Sequence, residues 1–599
     1  MGTGQPPHLS VAGLARRPER LGRTAVAISA TLSLLLVTVV VAVVACAAPA
    51  GGPGTGTSTG GPERPTAPKR LVAGMFSEPE GMQRVLTNPG GTGGRAPGLY
   101  EVQDLVHAGA GYLDDHDVLQ PRLAEAIPSA ENGLWRVLPD GRMETTWHLR
   151  PNIRWHDGTP LSAEDFAFAA KVNADREIGI VSPQALAIVE SVETPDPRTI
   201  VVRWREPFIE ADYLFTRNFA MPLPRHLLEQ PFSEDKGAFL ALPYWRDAYV
   251  GLGPFRLQEW VLSSHLLLVA NDAYLLGRPK IDAIEVRFIT DINAMFANLL
   301  SGAIIAPLAS GGLGIEQAVR IRDMTDEIRV ALGDRLGTSQ VINPQFIDPN
   351  PPIIGNAQFR RALLHAMDRQ ELNDTINYGL GAVADSWLQP DHPYYSAIAD
   401  RIVRYAYDPR RAIEIIQGLG YTWGQDGLFR DASGQKLQIE YRTTEQTIIN
   451  RRALYPIADY WKRVGIDVEP VVVPNQLIPD REYRAQFPAF EMLASGPGAS
   501  ASAVRQWHSA SVPLPQNRFA GSNRARYRSP ELDSIIERYV VTIPRAERLA
   551  LLGDLIHHQT DQVTILTTFY QAEAVVLGSI RLKGVMSGNV WNAHLWELD

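Results

Sequence analysis

Cysteine is almost absent from the sequence, because Cys46 is the only one among 599 residues. A single thiol excludes a framework of intramolecular disulfides. Lysine is scarce too, and the excess of arginine over lysine carries no functional weight. The net charge of −9 argues against nucleic acid as a partner and against docking on anionic lipid by charge alone.

Motifs of common catalytic sites are missing beyond residue 68. That part of the chain has no Gly-x-Ser-x-Gly, no His-Glu-x-x-His, no Gly-x-x-x-x-Gly-Lys and no thiol nucleophile. The glycine-rich stretch 90–98 lacks the spacing of a dinucleotide-binding loop. We therefore expect neither an enzyme nor a cofactor, although a catalytic dyad of distant residues would escape a motif search.

Histidines with a metal-binding spacing are also lacking. His557 and His558 are neighbours on a predicted helix, so their side chains diverge by about 100°. His107 and His116 form the other nearest cluster, and their spacing does not fix two ligands on one face. No metal site is predicted.

Only one apolar run is long enough to span a membrane, and it lies at the N-terminus. The uncharged stretch Ala25 to Ala45 follows four arginines and directly precedes Cys46. This pattern resembles the lipobox of bacterial lipoproteins and predicts a signal peptide over residues 1–45, with lipidation of Cys46. The alternative is an uncleaved transmembrane helix, since 21 residues at 1.5 Å each cover about 30 Å.

Residues 46–68 are rich in glycine, proline and threonine and have almost nothing to bury, which predicts a disordered tether. Removal of residues 1–45 would take away four arginines and one glutamate and change the net charge from −9 to −12. The chain from Lys69 onward is long enough for two or more globular domains.

Short β-rich runs alternate with helical stretches along this part of the chain. Residues 199–204 and 284–289 are predicted strands. Ser162 with Asp165 resembles a capping box, and the pairs Asp408-Pro409 and Ser529-Pro530 are typical of helix starts. The mixture excludes all-α and all-β folds and predicts an α/β protein.

A series of local phrases resembles the peptide/nickel family of ABC-transporter solute-binding proteins, bacterial extracellular family 5. The phrase at 143–171 carries a short strand, the tight turn Asp157-Gly158 and a capped helix. Six further stretches follow in the family's order, which makes chance agreement improbable. They are residues 251–260, 271–282, 343–369, 407–412, 419–421 with 465–468, and 529–539.

This resemblance implies a two-lobed, periplasmic-binding-protein-like fold of type II, in the large peptide-binding class. Lobe one is expected over 69–312 with an extra subdomain at about 110–235, lobe two over 313–565, and a return to lobe one over 566–599. The implied partners are a peptide or other small organic solute and the transmembrane subunits of an ABC permease. A monomer anchored by lipid on the extracytoplasmic side is expected. A two-lobed sensor lipoprotein and, less favoured, an exported hydrolase are the alternatives.

Two departures from the family pattern bear on the ligand. Peptide-binding members often place a tryptophan and an acid after a lobe-two strand, where the acid pairs with the ligand's α-ammonium. The matching strand is predicted at 490–494, but the segment 495–502 has neither residue type. A buried ammonium without a counter-charge is unfavourable, so peptides with free N-termini are the less favoured ligands. In addition, Ala303 and Ile305 stand where the family usually has acids, which indicates either altered hinge packing or a lost polar contact.

Candidate ligand contacts follow from the implied architecture and from residue chemistry. Phe76 and Glu78 end the first predicted strand, and Asn343 lies near the crossover between the lobes. Ser495 and Gly496 occupy the segment without the acid. Trp387 and Trp507 offer flat surfaces for a side chain or a sugar. For each of these residues a structural role is favoured over ligand contact, since a tryptophan is more often part of the core and Glu78 fits a solvated loop acid.

Overall fold

The computed structural model describes residues 68–83, 98–178, 184–217, 219–308, 313–496, 498–586 and 589–599. The predicted signal peptide, Cys46 and nearly all of the predicted tether lie outside these residues. Within the described ranges, no helix combines the length and the apolar character that crossing a membrane requires.

The strands are numbered in chain order from β1 to β21. They are Arg70–Met75, Gly111–Leu113, Leu119–Pro121, Trp135–Val137, Met143–His148, Val189–Asp196, Thr199–Trp204, Phe255–Val261, His265–Ala270, Ala283–Phe288, Ala306–Pro307, Ile328–Pro344, Ala382–Val383, Thr422–Trp423, Phe429–Arg430, Gln438–Thr444, Asp467–Val473, Phe490–Ser495, Leu566–Ser579, Leu582–Lys583 and Glu597–Leu598.

The α-helices are connected to these strands in an α/β arrangement. They are Leu99–Val106, Ala163–Ala174, Gln184–Ile188, Arg225–Glu234, Lys236–Leu240, Ile292–Leu300, Ile315–Met324, Ala357–His365, Arg369–Ile376, Pro409–Gly418, Ile448–Arg463, Arg481–Ala485, Ala501–Arg505, Pro530–Tyr539 and Arg545–Gln562.

The predicted helix starts are confirmed. Ser162 and Asp165 form the capping box of the helix Ala163–Ala174, in which the Ser162 backbone N–H donates to Asp165 Oδ2 at 2.9 Å. Asp408 caps the helix that begins at Pro409, and Ser529 caps the one that begins at Pro530. Each cap satisfies a backbone N–H that has no partner within its helix.

Lobe one is built on a five-stranded sheet with the order β11-β1-β10-β9-β8. β1 runs parallel to β10 and β11, whereas β9 runs antiparallel to β10 and β8. Leu71, Ala73 and Ile284 are fully buried in its core, together with Leu582 and Trp596 from the end of the chain. The described C-terminal residues, 582–586 and 589–599, therefore contribute to the core of lobe one.

The extra subdomain is a four-stranded antiparallel sheet with the order β4-β5-β7-β6. Burial along β5 alternates, so that Met143, Thr145 and Trp147 face the core while the residues between them are partly exposed. That period of two is typical of a sheet with one covered face. Its apolar cluster continues into lobe two.

Lobe two contains a six-stranded sheet with the order β13-β19-β12-β18-β16-β17. The two long strands β12 and β19 pair antiparallel from Ile342 with Leu566 to Ile328 with Ser579. At the latter end, the Ser579 N–H donates to the Ile305 carbonyl at 2.7 Å, beside β11 of lobe one. These two strands thus connect the sheets of both lobes. The predicted lobe boundaries stay predictions.

Gly578 lies where β19 passes β11. Its φ of +102° is disfavoured for other residues, and a Cβ there would lie 2.5 Å from the Ile305 carbonyl oxygen. A glycine at this position allows the close approach of the crossover strand to lobe one.

Candidate ligand-binding site

A loop of the subdomain contacts the segment that follows β18 of lobe two. We call residues 208–214, 495–496 and 498–507 together the seam. Glu210 Oε2 accepts a hydrogen bond from the Ala501 N–H at 3.1 Å, across 291 residues of sequence. Buried apolar residues from both sides join one cluster around this contact: Phe208, Ile209, Ala211, Ala499, Ala501 and Val504.

Two acids of the seam, Glu210 and Asp212, have enclosed carboxylates although parts of both residues reach the surface. Asp212 Oδ1 is buried and has no hydrogen-bond partner among the described protein groups. Burial raises the pKa of Asp212 to about 7, and hydrogen bonding from the backbone N–H groups of Asp212 and Tyr213 and the field of Arg548 on lobe two oppose this rise only in part. Burial also raises the pKa of Glu210, against hydrogen bonding from Ala501 and the field of Arg505.

Further polar atoms without protein partners lie on the crossover strand and on the seam. Ser339 of β12 is the register partner of Ser495 on β18, and both hydroxyls are buried and unpaired. Gln340 Oε1 and Trp507 Nε1 are buried without partners as well. Buried polar groups are normally hydrogen-bonded, and each unmade bond costs about 1–3 kcal/mol. Such atoms also occur elsewhere in the described residues, for example on Gln103 and Asn450, but Ser339 and Ser495 lie side by side on neighbouring strands, where a ligand could supply the partner of both hydroxyls.

The structure brings three of the predicted contact residues, Ser495, Gly496 and Trp507, into the seam. The side chain of Trp507 is 6% exposed, so only a ligand enclosed between the lobes could reach it. Whether these residues touch a ligand stays a prediction.

Phe76 and Glu78 follow β1 on lobe one, as predicted from the sequence. Glu78 accepts hydrogen bonds from Trp260 Nε1 at 2.7 Å and from the Ser263 N–H at 3.0 Å, so it holds the turn between β8 and β9. Phe76 is partly buried against the cluster that contains Met295. These contacts give both side chains a structural role, and ligand contact by either remains a prediction.

Asn343 and Trp387 lie inside lobe two and are hydrogen-bonded there. Asn343 Nδ2 donates to the Glu491 carbonyl at 3.2 Å, and Trp387 Nε1 donates to Gln559 Oε1 at 2.6 Å. Trp387 is only 1% exposed. Both side chains therefore have partners within the lobe, unlike the polar atoms of the seam.

Sequence reasoning missed Glu210, Asp212, Ser339 and Gln340. One signal was available for the acids, because they interrupt the otherwise apolar and aromatic run 207–215. The serine and glutamine of β12 have no distinguishing sequence pattern.

His557 and His558, which the sequence predicts to be ordinary helix residues, contact protein groups. His557 Nδ1 lies 3.0 Å from the Arg401 carbonyl oxygen, and His558 Nε2 lies 3.1 Å from the Tyr527 hydroxyl. Among the described residues, no group of three or more histidine, cysteine, aspartate or glutamate side chains is placed to hold a metal ion.

A small polar cavity, of about 20 Å³, lies within lobe one. Its lining includes Asp104 and Arg217, whose side chains form an ion pair at 2.7 Å, and the buried Arg122. The Arg122 guanidinium donates to the Trp591 carbonyl at 2.7 Å and stacks over Tyr112. Asp104 and Arg217 thus neutralise each other, whereas Arg122 contacts a carbonyl and an aromatic ring, and its Nε has no hydrogen-bond partner among the described residues.

Comparison with known proteins agrees with this architecture. Residues 118–512 match the family described as bacterial extracellular solute-binding proteins, family 5, middle part. The chain belongs to family 5 of the bacterial extracellular solute-binding proteins. The resemblance inferred from the ordered phrases is therefore confirmed.

Relatives of this family 5 protein include a Brucella ovis protein whose name assigns it, provisionally, as an ABC transporter peptide-binding protein. The two are 27% identical over 436 residues, which cover 70% of this chain and 74% of the relative. Heme-binding protein A of Haemophilus influenzae is 24% identical over 469 residues, covering 75% of this chain and 78% of the relative. Both names describe binding proteins and not enzymes.

Solved structures of similar fold include NikA from Brucella suis in complex with Fe(III)-EDTA. It has a TM-score of 0.69 and 19% identity, and the match covers 88% of this chain and 100% of NikA. The oligopeptide-binding protein of Thermus thermophilus in complex with a pentapeptide has a TM-score of 0.63 and 20% identity, with 88% and 96% covered. These likenesses confirm the predicted two-lobed α/β fold.

Proposed function

We propose that this family 5 protein is the solute-binding subunit of an ABC importer. It captures a peptide-like or other small organic solute between its lobes and delivers it to the transmembrane subunits of the permease. The observation that carries this proposal is the seam, where Asp212 and Ser495 hold buried polar atoms without protein partners. The peptide named with the Thermus structure and the peptide-binding name of the Brucella relative favour the same ligand class.

The proposed mechanism is a shift of population between open and closed forms. The long strands β12 and β19 connect the lobes, so that a rotation of one lobe about them would open or close the seam. A solute that contacts both sides stabilises the closed form by its differential affinity for it. The closed form then docks on the permease, and no covalent bond is made or broken.

We also propose that Cys46 anchors the protein on the extracytoplasmic face of the membrane through attached lipid. The charged region, the apolar run and the small residue before Cys46 support this proposal. Radiolabelled palmitate should enter the wild-type protein in its host and not the variant Cys46→Ser. No labelling of either protein would argue for the uncleaved helix, and equal labelling of both would overturn Cys46 as the lipidated residue.

Native mass spectrometry of the full chain in mild detergent tests the transport function. The expected result is a bound mass that disappears on denaturation and that belongs to a peptide or a small organic molecule. An empty protein that is also not stabilised by peptides, sugars or metal chelates in a thermal-shift screen would favour the sensor alternative. In that screen a ligand at 100 times its Kd adds about 2.7 kcal/mol of stability.

A further inference from the structure

Lobe two has a cavity with a basic wall, separate from the seam. The cavity has a volume of about 390 Å³ and is open to solvent. Arg481 and Arg484 line it from one short helix, and Arg524 lines it from a later loop. The other lining residues are apolar or glycine, among them Ile478 and Phe519. Three cations and no acid therefore line this space.

The arginines at the cavity outnumber the acids that pair with them. Glu491 Oε1 lies 3.1 Å from Arg484 Nη2 and 3.4 Å from Arg442 Nε. Its other carboxylate oxygen pairs with Arg524. The partly buried Glu440 adds its field at Arg442. Two acids thus serve three largely buried guanidinium groups.

Arg481 adds a fourth positive charge, and no acid among the described residues forms an ion pair with it. Its two neighbours in sequence are acids, but neither lines the cavity. Asp480 Oδ1 accepts a hydrogen bond from the Tyr483 N–H at 3.0 Å. Glu482 Oε1 accepts one from Gln486 Nε2 at 3.2 Å. The exposed guanidinium of Arg481 is therefore available to a ligand.

The protein also provides too few acceptors for these guanidinium groups. Arg442 Nε and Arg484 Nε are buried and have no hydrogen-bond partner among the described residues. Burial lowers the pKa of the Arg524 guanidinium, Glu491 opposes this change, and Arg484 and Arg442 add to it. Like charges are thus held close together, an arrangement that a bound anion stabilises.

We propose that this cavity binds the phosphate group of a phosphate monoester. Four arginines against two acids leave an excess of two positive charges at the cavity. A phosphate monoester carries a charge of about −1.5 to −2 at pH 7, whereas a single carboxylate supplies half of what is needed. The planar guanidinium fork also matches the geometry of phosphate oxygens.

The cavity has room for more than the phosphate group, and Ile478 and Phe519 offer apolar contacts to the organic part of an ester. A soluble phosphate ester and the headgroup of phosphatidic acid share this chemistry. The lining has no residue in common with the seam, so this inference does not depend on the proposed function.

Calorimetry on the full chain in mild detergent tests the site with three probes: glycerol 3-phosphate, short-chain phosphatidic acid and the dicarboxylate glutarate. Ala520→Glu adds a carboxylate at an exposed residue of the cavity wall, and Ala520→Gln is its uncharged control of similar size. Arg481→Gln removes the unpaired cation. Its control is Arg451→Gln, since Arg451 is exposed and does not line the cavity. Thermal unfolding without ligand verifies that every variant is folded.

At least one phosphate ester should bind the wild type, Ala520→Gln and Arg451→Gln with similar Kd. Ala520→Glu and Arg481→Gln should each weaken that binding about tenfold or more. Tighter binding of phosphatidic acid than of glycerol 3-phosphate would assign the site to a lipid headgroup, and equal or weaker binding would assign it to a soluble ester.

Glutarate binding as tightly as the esters would overturn the phosphate assignment. The site itself would be overturned if neither ester bound the wild type, or if Arg451→Gln weakened binding as much as Arg481→Gln. Should Ala520→Glu fail to fold, the comparison of the two arginine variants decides.

Discussion

Two enclosed acids, Glu491 and Asp212, differ in whether a cation of the protein pairs with the carboxylate. We interpret the paired acid as structural and the unpaired acid as a candidate ligand contact. Glu491 on β18 is fully buried, and three guanidinium groups surround its carboxylate, those of Arg442, Arg484 and Arg524. Asp212 in the seam also has an enclosed carboxylate, but no ion pair with any described residue. The first acid is ion-paired within one lobe, although its Oε1 accepts no hydrogen bond, whereas the second acid has no ion pair among the described residues and lies where two lobes meet.

This difference teaches where a counter-charge can come from. A carboxylate that is buried when a single lobe folds needs a cation from the same lobe, as Glu491 has in its arginines. A group at a contact that opens and closes is hydrated in the open form, so its partner can arrive with a ligand. Buried unpaired polar atoms between lobes are therefore stronger evidence for binding than buried paired ones.

Removal of the charge at Glu491 should produce the largest effect. Glu491→Gln leaves three largely buried guanidiniums without a carboxylate, and breaking a buried ion pair costs about 3–5 kcal/mol. Urea titration of the ligand-free protein measures the free energy of unfolding. A loss below about 1 kcal/mol would show that solvent already neutralises the cluster, and the contrast with the seam would fail.

Asp212→Asn should raise the free energy of unfolding at neutral pH, whereas Glu491→Gln should lower it. The pKa of Asp212 rises on folding from 3.8 to about 7, so its contribution to stability is fully present below pH 4 and is lost as the pH rises to about 7. An asparagine never ionises. Relative to the wild type, the variant should therefore gain free energy of unfolding between pH 4 and pH 8, by at most on the order of 4 kcal/mol.

Urea titrations of both proteins at pH 5, 6, 7 and 8 measure this gain. The difference isolates Asp212 from other titrating groups, such as the buried His107, whose pKa is lowered to about 3 by burial. A difference that does not vary with pH would mean that the Asp212 carboxylate is solvated in the closed form.

Trp387 and Trp507 allow paired and unpaired buried polar groups to be compared with uncharged side chains. Trp387→Phe removes the donor to Gln559 Oε1 inside lobe two and should cost about 1–3 kcal/mol of stability. Trp507→Phe removes an N–H that has no protein partner, so it should cost less stability and weaken solute binding instead. Thermal unfolding and calorimetry on both variants measure the two quantities. If Trp387→Phe weakened binding more than Trp507→Phe, the seam would not be the binding site.

The sequence predicted the fold better than the site, for a physical reason. Helix starts such as Ser162 with Asp165 and Asp408 with Pro409 depend on residues within one turn, so local patterns reveal them. The contact between Glu210 and Ala501 spans 291 residues, and no local pattern indicates that the two meet. Trp387 is a residue that the sequence suggested as a ligand contact, whereas the tertiary packing buries it inside lobe two.

The smallest effect is expected at an exposed ion pair, which serves as a baseline for the others. Arg411 and Glu414 lie 3.1 Å apart on the helix Pro409–Gly418, and both side chains are more than half exposed. Solvent screens such a pair, so Glu414→Gln should change the free energy of unfolding by less than about 0.5 kcal/mol. Urea titration in low and in high salt measures this change. If Glu414→Gln lowered the free energy of unfolding as much as Glu491→Gln does, burial would not explain the effect at Glu491. The comparison between the buried acids Glu491 and Asp212 would then have no energetic support.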